Sequence, residues 1–128
     1  DFITTISGRL AHVRECADLE HAMFSTTSPL YFQADEQTKI SNILKRCAWH
    51  QFGGDGYAYG QLAQGRVDAV IEAGLQLHDV MAHLPIIEGA GGIITDWQGK
   101  PLTTENYTHV CAAGDPRVHK QLLEILNG

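Results

Sequence analysis

A chain of 128 residues with 44% hydrophobic and 19% charged side chains has the size and composition of one globular domain. Its net charge of -6 disfavours nucleic acid as the main partner, because phosphate backbones require a basic surface, and it permits metal ions and cationic small molecules. No apolar run approaches the roughly 18 residues of a membrane-spanning helix, so the sequence predicts no membrane partner.

Strand-like and helix-like segments alternate along the chain. The strands are short runs of apolar or β-branched residues, and the helices carry apolar residues at helical spacing or a boundary signal. In chain order we predict a strand at 22–27, a helix at 33–46, a strand at 48–52, a short helix at 57–64, a strand at 67–72, a helix at 79–89, strands at 93–96 and 110–113, and a C-terminal helix that Asp115 caps and Pro116 begins. This alternation predicts an α/β domain, a layered sheet with helices packed on it. The order of the strands does not follow from the pattern.

The three cysteines, Cys16, Cys47 and Cys111, are widely spaced and include no CxxC pair. An odd number of cysteines in apolar contexts fits reduced thiols in the cytoplasm better than a disulfide framework. The histidines form no cluster with zinc-ligand spacing. We therefore expect a cytoplasmic protein without a structural zinc site.

A glycine-rich segment, residues 53–60, precedes the short predicted helix. Such a loop can hold a phosphate at a helix N-terminus, but this one lacks the GxGxxG spacing and a following basic residue, and Asp55 would repel a phosphate. A tight turn is therefore favoured over nucleotide binding. Asp55 stays charged at a helix start, where it either caps the helix or meets a cationic ligand.

Two further carboxylates flank one loop, with Glu72 at the predicted end of a strand and Asp79 at the predicted start of a helix. Strand ends and helix N-termini of α/β folds face the ligand crevice. Two carboxylates there suit a hard divalent cation or a hydroxylated substrate. The alternative is that Asp79 only caps its helix. We interpret His83, on the same helix, as a polar residue near the helix surface rather than a ligand.

Residues 79–102 resemble the C-terminal signature of the inositol monophosphatase family. The signature has an aspartate that opens a helix, an acidic residue followed by Gly-Ala-Gly-Gly, and a strand that leads to a Gly-containing turn. The family normally has Trp where this chain has His78. Three other segments resemble the histidinol-phosphate phosphatase branch of the family more closely, namely residues 26–29, 53–59 and 84–89. From about Gly8 onward, the chain resembles the C-terminal half of the family's proteins.

The resemblance implies a layered α/β/α/β fold and a magnesium-dependent phosphomonoesterase that is usually dimeric. It implies that Asp79 ligates a catalytic magnesium ion and that Glu72 binds hydroxyl or other polar groups of the substrate. It places Asp55 where the family varies with the substrate. It also implies a substrate-side loop with the hydroxyls of Thr26, Thr27 and Ser28. Histidinol carries an amine and an imidazole, so additional acids in the pocket suit it electrostatically.

The main metal-binding acids of the family lie in its N-terminal half, as a glutamate and an Asp-Pro-Ile/Leu-Asp-Gly-Thr motif. This chain contains neither, so we expect residues 1–128 to be a C-terminal domain, cut from a longer protein before Asp1. One carboxylate does not hold magnesium tightly, so the isolated chain is predicted to be inactive and to contain no catalytic residue of its own.

The substrate that the resemblance favours is histidinol phosphate, which places the enzyme in histidine biosynthesis. The alternatives are inositol phosphate or another sugar phosphate, and a module without catalysis that serves binding or assembly. The expected partners are a small phosphorylated substrate, the missing N-terminal half and a second copy in a homodimer.

Overall fold

Runs of β-branched and small apolar residues form the strands, and segments with helical apolar spacing form the helices between them. In the computed structural model, which describes residues 3–54 and 56–128, the strands are β1 (Thr5–Ile6), β2 (Arg9–Leu10), β3 (Met23–Thr26), β4 (Trp49–Phe52), β5 (Ala69–Ala73), β6 (Ile93–Thr95) and β7 (His109–Ala113). The α-helices are α1 (Ala34–Arg46), α2 (Tyr57–Ala63), α3 (Leu77–Gly89) and α4 (Pro116–Leu126). Two 3-10 turns span Leu19–His21 and Pro29–Tyr31.

Five of these strands form one sheet in the order β4-β3-β5-β7-β6. Strand β3 runs parallel to β4 and β5, whereas β7 runs antiparallel to β5 and β6. The carboxyl ends of the three parallel strands therefore meet at one edge of the sheet. Because β7 runs the other way, its first residue, His109, lies at the same edge opposite Ala73.

The helices cover both faces of this sheet, so the fold has three layers. On one face, α2 and α3 pack together over a core that includes Leu62, Val70 and Ile87. On the other face, α1 and α4 pack over a core that includes Phe24 and Ile40. Successive strand residues point to opposite faces, which is why one strand supplies both cores. The predicted α/β class, with helices packed on one sheet, is confirmed.

The boundaries of α2 and α4 follow the predicted signals. The Asp115 carboxylate accepts a hydrogen bond from the backbone N–H of Arg117 at 2.9 Å, and Pro116 is the first residue of α4. Gly65, with φ of +76°, ends the turn after α2. The two longest helices, α1 and α3, have 13 residues each, and no helix of the described residues is long and apolar enough to cross a bilayer.

Helix α3 begins before Asp79, at Leu77, with Gln76 in the N-cap position. Asp79 is therefore the third helical residue, and the interpretation of Asp79 as the helix cap is wrong. The reason lies in the preceding turn, where Gly74 adopts φ of +72° directly after β5. This conformation favours glycine and turns the chain immediately, so the helix starts earlier than its side-chain pattern indicates.

The β1–β2 hairpin was not predicted, because its strands are too short to show a periodicity. Ser7 and Gly8 form its turn with φ of 53° and 79°. Before the hairpin, the Thr4 hydroxyl donates to the Ile86 carbonyl at 2.7 Å and the Thr4 N–H donates to the Gly89 carbonyl at 3.4 Å. These bonds join the N-terminal segment to the last turn of α3.

Candidate active site

A cavity of about 320 Å³ opens at the carboxyl edge of the sheet, between the ends of β3 and β5 and the first turns of α2 and α3. The described residues that line it are Thr27, Gly56, Tyr59, Glu72, Leu75, Asp79 and His83. This is the crevice at which α/β folds bind ligands. The predicted carboxylates Glu72 and Asp79 are thus brought to one cavity, together with Thr27.

Glu72 lies on the inner wall of this cavity and is only 5% exposed. It shares a face of β5 with the core residue Val70, at the point where the core gives way to the cavity. Its carboxylate accepts hydrogen bonds from the Thr27 hydroxyl at 2.8 Å and from the Thr27 N–H at 3.3 Å. A buried carboxylate requires such donors, so Thr27 fixes the position of Glu72.

Asp79 lies at the mouth of the cavity, where its side chain is 49% exposed. The N-terminal turn of α3 stabilises its negative charge through the helix dipole. The exposed side chain of His78 contacts Asp79, with its Nε2 3.5 Å from the Asp79 Oδ1. An exposed carboxylate of this kind can ligate a hard cation such as magnesium.

An aromatic pair, Tyr59 from α2 and His83 from α3, forms a further wall. The two rings stack with centroids 4.2 Å apart and planes 10° from parallel. Burial lowers the pKa of His83 below its usual value, although Asp79 opposes the shift, so the imidazole is neutral at pH 7. Burial and then the charges of Glu72 and Asp79 raise the pKa of Tyr59, so its hydroxyl stays protonated.

His83, which was predicted to lie near the helix surface and not to act as a ligand, is half-buried and lines the cavity. That it is not a ligand stays a prediction. Its spacing of four residues from Asp79 was the available signal, since residues i and i+4 share a helix face. Tyr59 was not predicted as a site residue at all. Nothing in its local sequence distinguishes it from a core residue of a short helix.

The other predicted substrate residues lie apart from the cavity or outside the described residues. Thr26 is 1% exposed in β3, rather than on a loop, and does not line the cavity. Ser28 caps the 3-10 turn Pro29–Tyr31, where its hydroxyl accepts from the Leu30 N–H at 3.2 Å. Asp55 lies outside the described residues. The roles of these three residues in substrate binding stay predictions.

The cavity offers few ligands for a metal ion. Across residues 3–54 and 56–128, no group of three or more His, Cys, Asp or Glu side chains is arranged to hold one. Magnesium prefers near-octahedral oxygen coordination, which Asp79 can supply only in part. The donor chemistry of Asp79 therefore fits a magnesium site as one ligand among several.

A larger cavity of about 650 Å³ lies beside the β1–β2 hairpin and the end of α2. It is lined by Arg9, Gln64 and Arg66 among others, and no carboxylate is among its described lining residues. It lacks the acidic donors that a divalent cation requires, so the smaller cavity is the better candidate for an active site.

Comparison with known proteins agrees with this geometry. A model of the inositol monophosphatase family matches residues 4–127. The chain is 41% identical to the chloroplastic bifunctional phosphatase IMPL2 of Arabidopsis thaliana over 130 aligned residues, and 32% identical to a histidinol-phosphatase of Streptomyces coelicolor over 124. A solved inositol monophosphatase from Zymomonas mobilis superposes with a TM-score of 0.96 at 39% identity.

These matches cover 96%, 94% and 100% of this chain, respectively. In the opposite direction, the chain spans 38%, 45% and 51% of the lengths of the three proteins. The matched region includes every described residue of the cavity. The chain belongs to the inositol monophosphatase family.

Proposed function

We propose that this chain is the C-terminal domain of a magnesium-dependent phosphomonoesterase that hydrolyses histidinol phosphate. The observation that carries the proposal is the meeting of Glu72 and Asp79 at one cavity in a chain of this family. The similarity to a bifunctional phosphatase and to a histidinol-phosphatase supports the choice of substrate.

The charge of the cavity supports a cationic leaving group. Its described lining residues include two carboxylates and neither Lys nor Arg. The fixed Glu72 carboxylate only accepts hydrogen bonds, so it binds donors such as a hydroxyl, an ammonium or an imidazole N–H. Histidinol phosphate offers two of these donors, its ammonium group and an imidazole N–H, because its hydroxyl is esterified. The phosphate, in contrast, needs positive charge that the described lining residues do not supply.

In this proposal Asp79, at the cavity mouth, would be one of the residues that hold magnesium. When bound, magnesium ions polarise the phosphoryl group, activate a water molecule and stabilise the departing oxygen. Glu72 orients the leaving group from the inner wall of the cavity. The buried side of the cavity, which Tyr59 and Leu75 line, excludes water from the organic part of the substrate.

We also propose that the remaining metal ligands come from an N-terminal half that residues 1–128 do not contain. Among the described lining residues, Asp79 is the one exposed carboxylate at the cavity mouth, which supports this because magnesium binds weakly to one such ligand. The relatives, of which the chain spans 38%, 45% and 51%, are long enough to contain that half.

A kinetic comparison on the full-length enzyme tests the substrate. Phosphate release is measured with histidinol phosphate and with inositol 1-phosphate at saturating magnesium. We expect kcat/KM to be at least about tenfold higher for histidinol phosphate, the discrimination that one additional charge-assisted contact gives. Equal values, or a preference for inositol 1-phosphate, would contradict the proposal and favour the sugar-phosphate alternative.

We further propose a homodimer in a reducing compartment such as the cytoplasm. Cys16, Cys47 and Cys111 are free thiols, which supports the compartment.

The edge strand β4 supports the homodimer. It exposes Trp49 and Phe52, at 64% and 47%, and exposed apolar edges favour association. Light scattering of the full-length enzyme gives the oligomeric state, and a monomeric mass would contradict the dimer.

A further inference from the structure

The hydroxyl of Tyr59 is buried at the cavity without a hydrogen-bond partner among the described residues. The residue as a whole is 2% exposed, so bulk water does not satisfy the hydroxyl. Native proteins keep few buried polar groups unpaired, and each one requires an explanation. The other unpaired hydroxyl of the described residues, that of Thr26, does not line the cavity.

The ring of Tyr59 is held firmly although its hydroxyl is not. His83 stacks on it at 4.2 Å, and His83 has room to do so because Gly56 lacks a side chain. A Cβ at Gly56 would lie 3.1 Å from the His83 Cε1, closer than ordinary van der Waals contact. Two helices therefore fix the orientation of the phenol ring, and with it the position of the hydroxyl.

The charges around the hydroxyl indicate which part of a substrate it meets. The negative charges of Glu72 and Asp79 both raise the pKa of Tyr59, and both residues line the same cavity. Their negative potential disfavours a phosphate deep in the cavity and favours the leaving group, the organic part that remains after hydrolysis. A tyrosine hydroxyl both donates and accepts, so it can pair with a hydroxyl, an amine or an imidazole nitrogen.

We propose that Tyr59 is a specificity-determining residue, whose hydroxyl hydrogen-bonds a polar atom of the leaving group, and that His83 is a positioning residue that holds the Tyr59 ring. The inference rests on the proposed phosphatase function of this cavity. It identifies the substrate class as phosphate monoesters whose leaving group carries hydroxyl or nitrogen atoms.

Kinetics of the full-length enzyme test the inference with two esters, histidinol phosphate and phenyl phosphate, whose leaving group has a hydrocarbon ring. For Tyr59→Phe we expect KM for histidinol phosphate to rise about 3- to 10-fold, the value of one hydrogen bond, with kcat unchanged. KM for phenyl phosphate should stay unchanged. The matched control is Tyr57→Phe, which alters a 67% exposed tyrosine of the same helix and should change neither KM.

Substitutions of His83 separate its positioning role from a contact with substrate. We expect His83→Ala to raise KM for histidinol phosphate selectively, and His83→Phe, which keeps a stacking ring, to restore it. If Tyr59→Phe leaves both KM values unchanged, or raises both equally, the inference is overturned. If histidinol phosphate is not a substrate, the proposed substrate fails, and the same comparison with inositol 1-phosphate still tests Tyr59.

Thermal unfolding gives a readout that needs no activity. Since the hydroxyl has no partner among the described residues, Tyr59→Phe should leave the melting temperature unchanged or raise it. A melting temperature several degrees lower would show that the hydroxyl is already bonded in the free protein, and would overturn the inference.

Discussion

The two carboxylates of the cavity have opposite environments. Glu72 is buried and bonded by Thr27, whereas Asp79 is half exposed in the first turn of α3. A fixed, desolvated carboxylate suits a role in orienting a substrate, and an exposed one can adapt to the coordination of a metal ion. This difference in exposure supports the proposed roles, in which Glu72 orients the substrate and Asp79 binds the metal ion.

Replacing the proposed metal ligand tests this assignment. In the full-length enzyme, Asp79→Asn keeps the size of the side chain and removes its charge. We expect the magnesium concentration for half-maximal phosphate release to rise by at least about tenfold, as for other losses around metal sites. Asp35→Asn, at the first turn of α1, is the matched control. An unchanged magnesium dependence would refute the role of Asp79.

Removing the Thr27 hydroxyl tests the support of Glu72. Thr27→Val deletes the donor that lies 2.8 Å from the buried carboxylate and preserves the shape of the side chain. We expect the free energy of unfolding to fall by about 1.5–3 kcal/mol, the net value of one hydrogen bond to a charged group. Urea denaturation measures it. Thr104→Val, at an exposed position, should change stability by much less, and an equal loss there would contradict the argument.

At the scale of elements, one left-handed turn precedes the start of α3. Gly74 turns the chain between β5 and α3, and an added Cβ would meet no atom within 4 Å there. Any cost of a side chain at Gly74 is therefore conformational rather than steric. Gly60, within α2, has equally open surroundings but lies inside a helix.

These two glycines predict effects of opposite sign. Gly74→Ala should destabilise the fold by about 1–2 kcal/mol, because a left-handed conformation disfavours a Cβ. Gly60→Ala should stabilise it by up to about 1 kcal/mol, because alanine is the better helix former. Urea denaturation of both variants measures the two changes. Effects of the same sign would contradict this account.

Element packing also predicts a dependence of stability on pH. His119 of α4 is 8% exposed and contacts the Thr95 hydroxyl of β6 at 2.8 Å. Burial lowers its pKa, so the unfolded state binds a proton at a higher pH than the folded state. Above about pH 6.5, His119 makes its full contribution to the stability of the folded state. This contribution is lost as the pH falls below that value toward the pKa of His119 in the folded state.

The free energies of unfolding of the wild type and of His119→Gln, measured at pH 7.5 and pH 5.5, give this contribution of His119. We expect the wild type to lose more stability than the variant on acidification, by at most about 1.4 kcal/mol per pH unit. His50→Gln, at an exposed histidine, should follow the wild type. If His119→Gln has the same pH dependence as the wild type, the buried imidazole is not responsible.

At the scale of the whole molecule, the sheet gathers the cavity from distant parts of the chain. Thr27, Glu72 and Asp79 meet because the parallel strands β3 and β5 end at the same edge and α3 starts beside them. The arrangement supplies acceptors for the proposed leaving group and one proposed metal ligand. Its described lining residues do not supply the positive charge that a phosphate requires.

The isolated chain is therefore predicted to fold but not to hydrolyse phosphate esters. With residues 1–128 alone, we expect no release of phosphate from histidinol phosphate at millimolar magnesium, because one exposed carboxylate binds the ion weakly. A colorimetric phosphate assay measures it, with the full-length enzyme as the positive control. Circular dichroism shows whether the chain is folded under the same conditions. Measurable turnover by the folded chain would refute the prediction.

The amino-acid sequence by itself determined the α/β class, the approximate bounds of the sheet strands, and the Asp115 cap of α4. Apolar periodicity and capping act within a few residues, so they can be seen locally. The family signature likewise depends on consecutive residues, and the match to residues 4–127 confirms it.

Only the tertiary structure decided the strand order, the start of α3 at Leu77 and the stacking of Tyr59 on His83. Antiparallel β7 pairs with β5 across some forty residues, as Ala113 does with Ala69, and no local pattern encodes that choice. In the sequence, Tyr59 resembles a core residue because its aromatic ring favours burial. Its unpaired hydroxyl became visible only when α2 and α3 were placed around the cavity, since hydrogen bonding depends on neighbours that are remote in the chain.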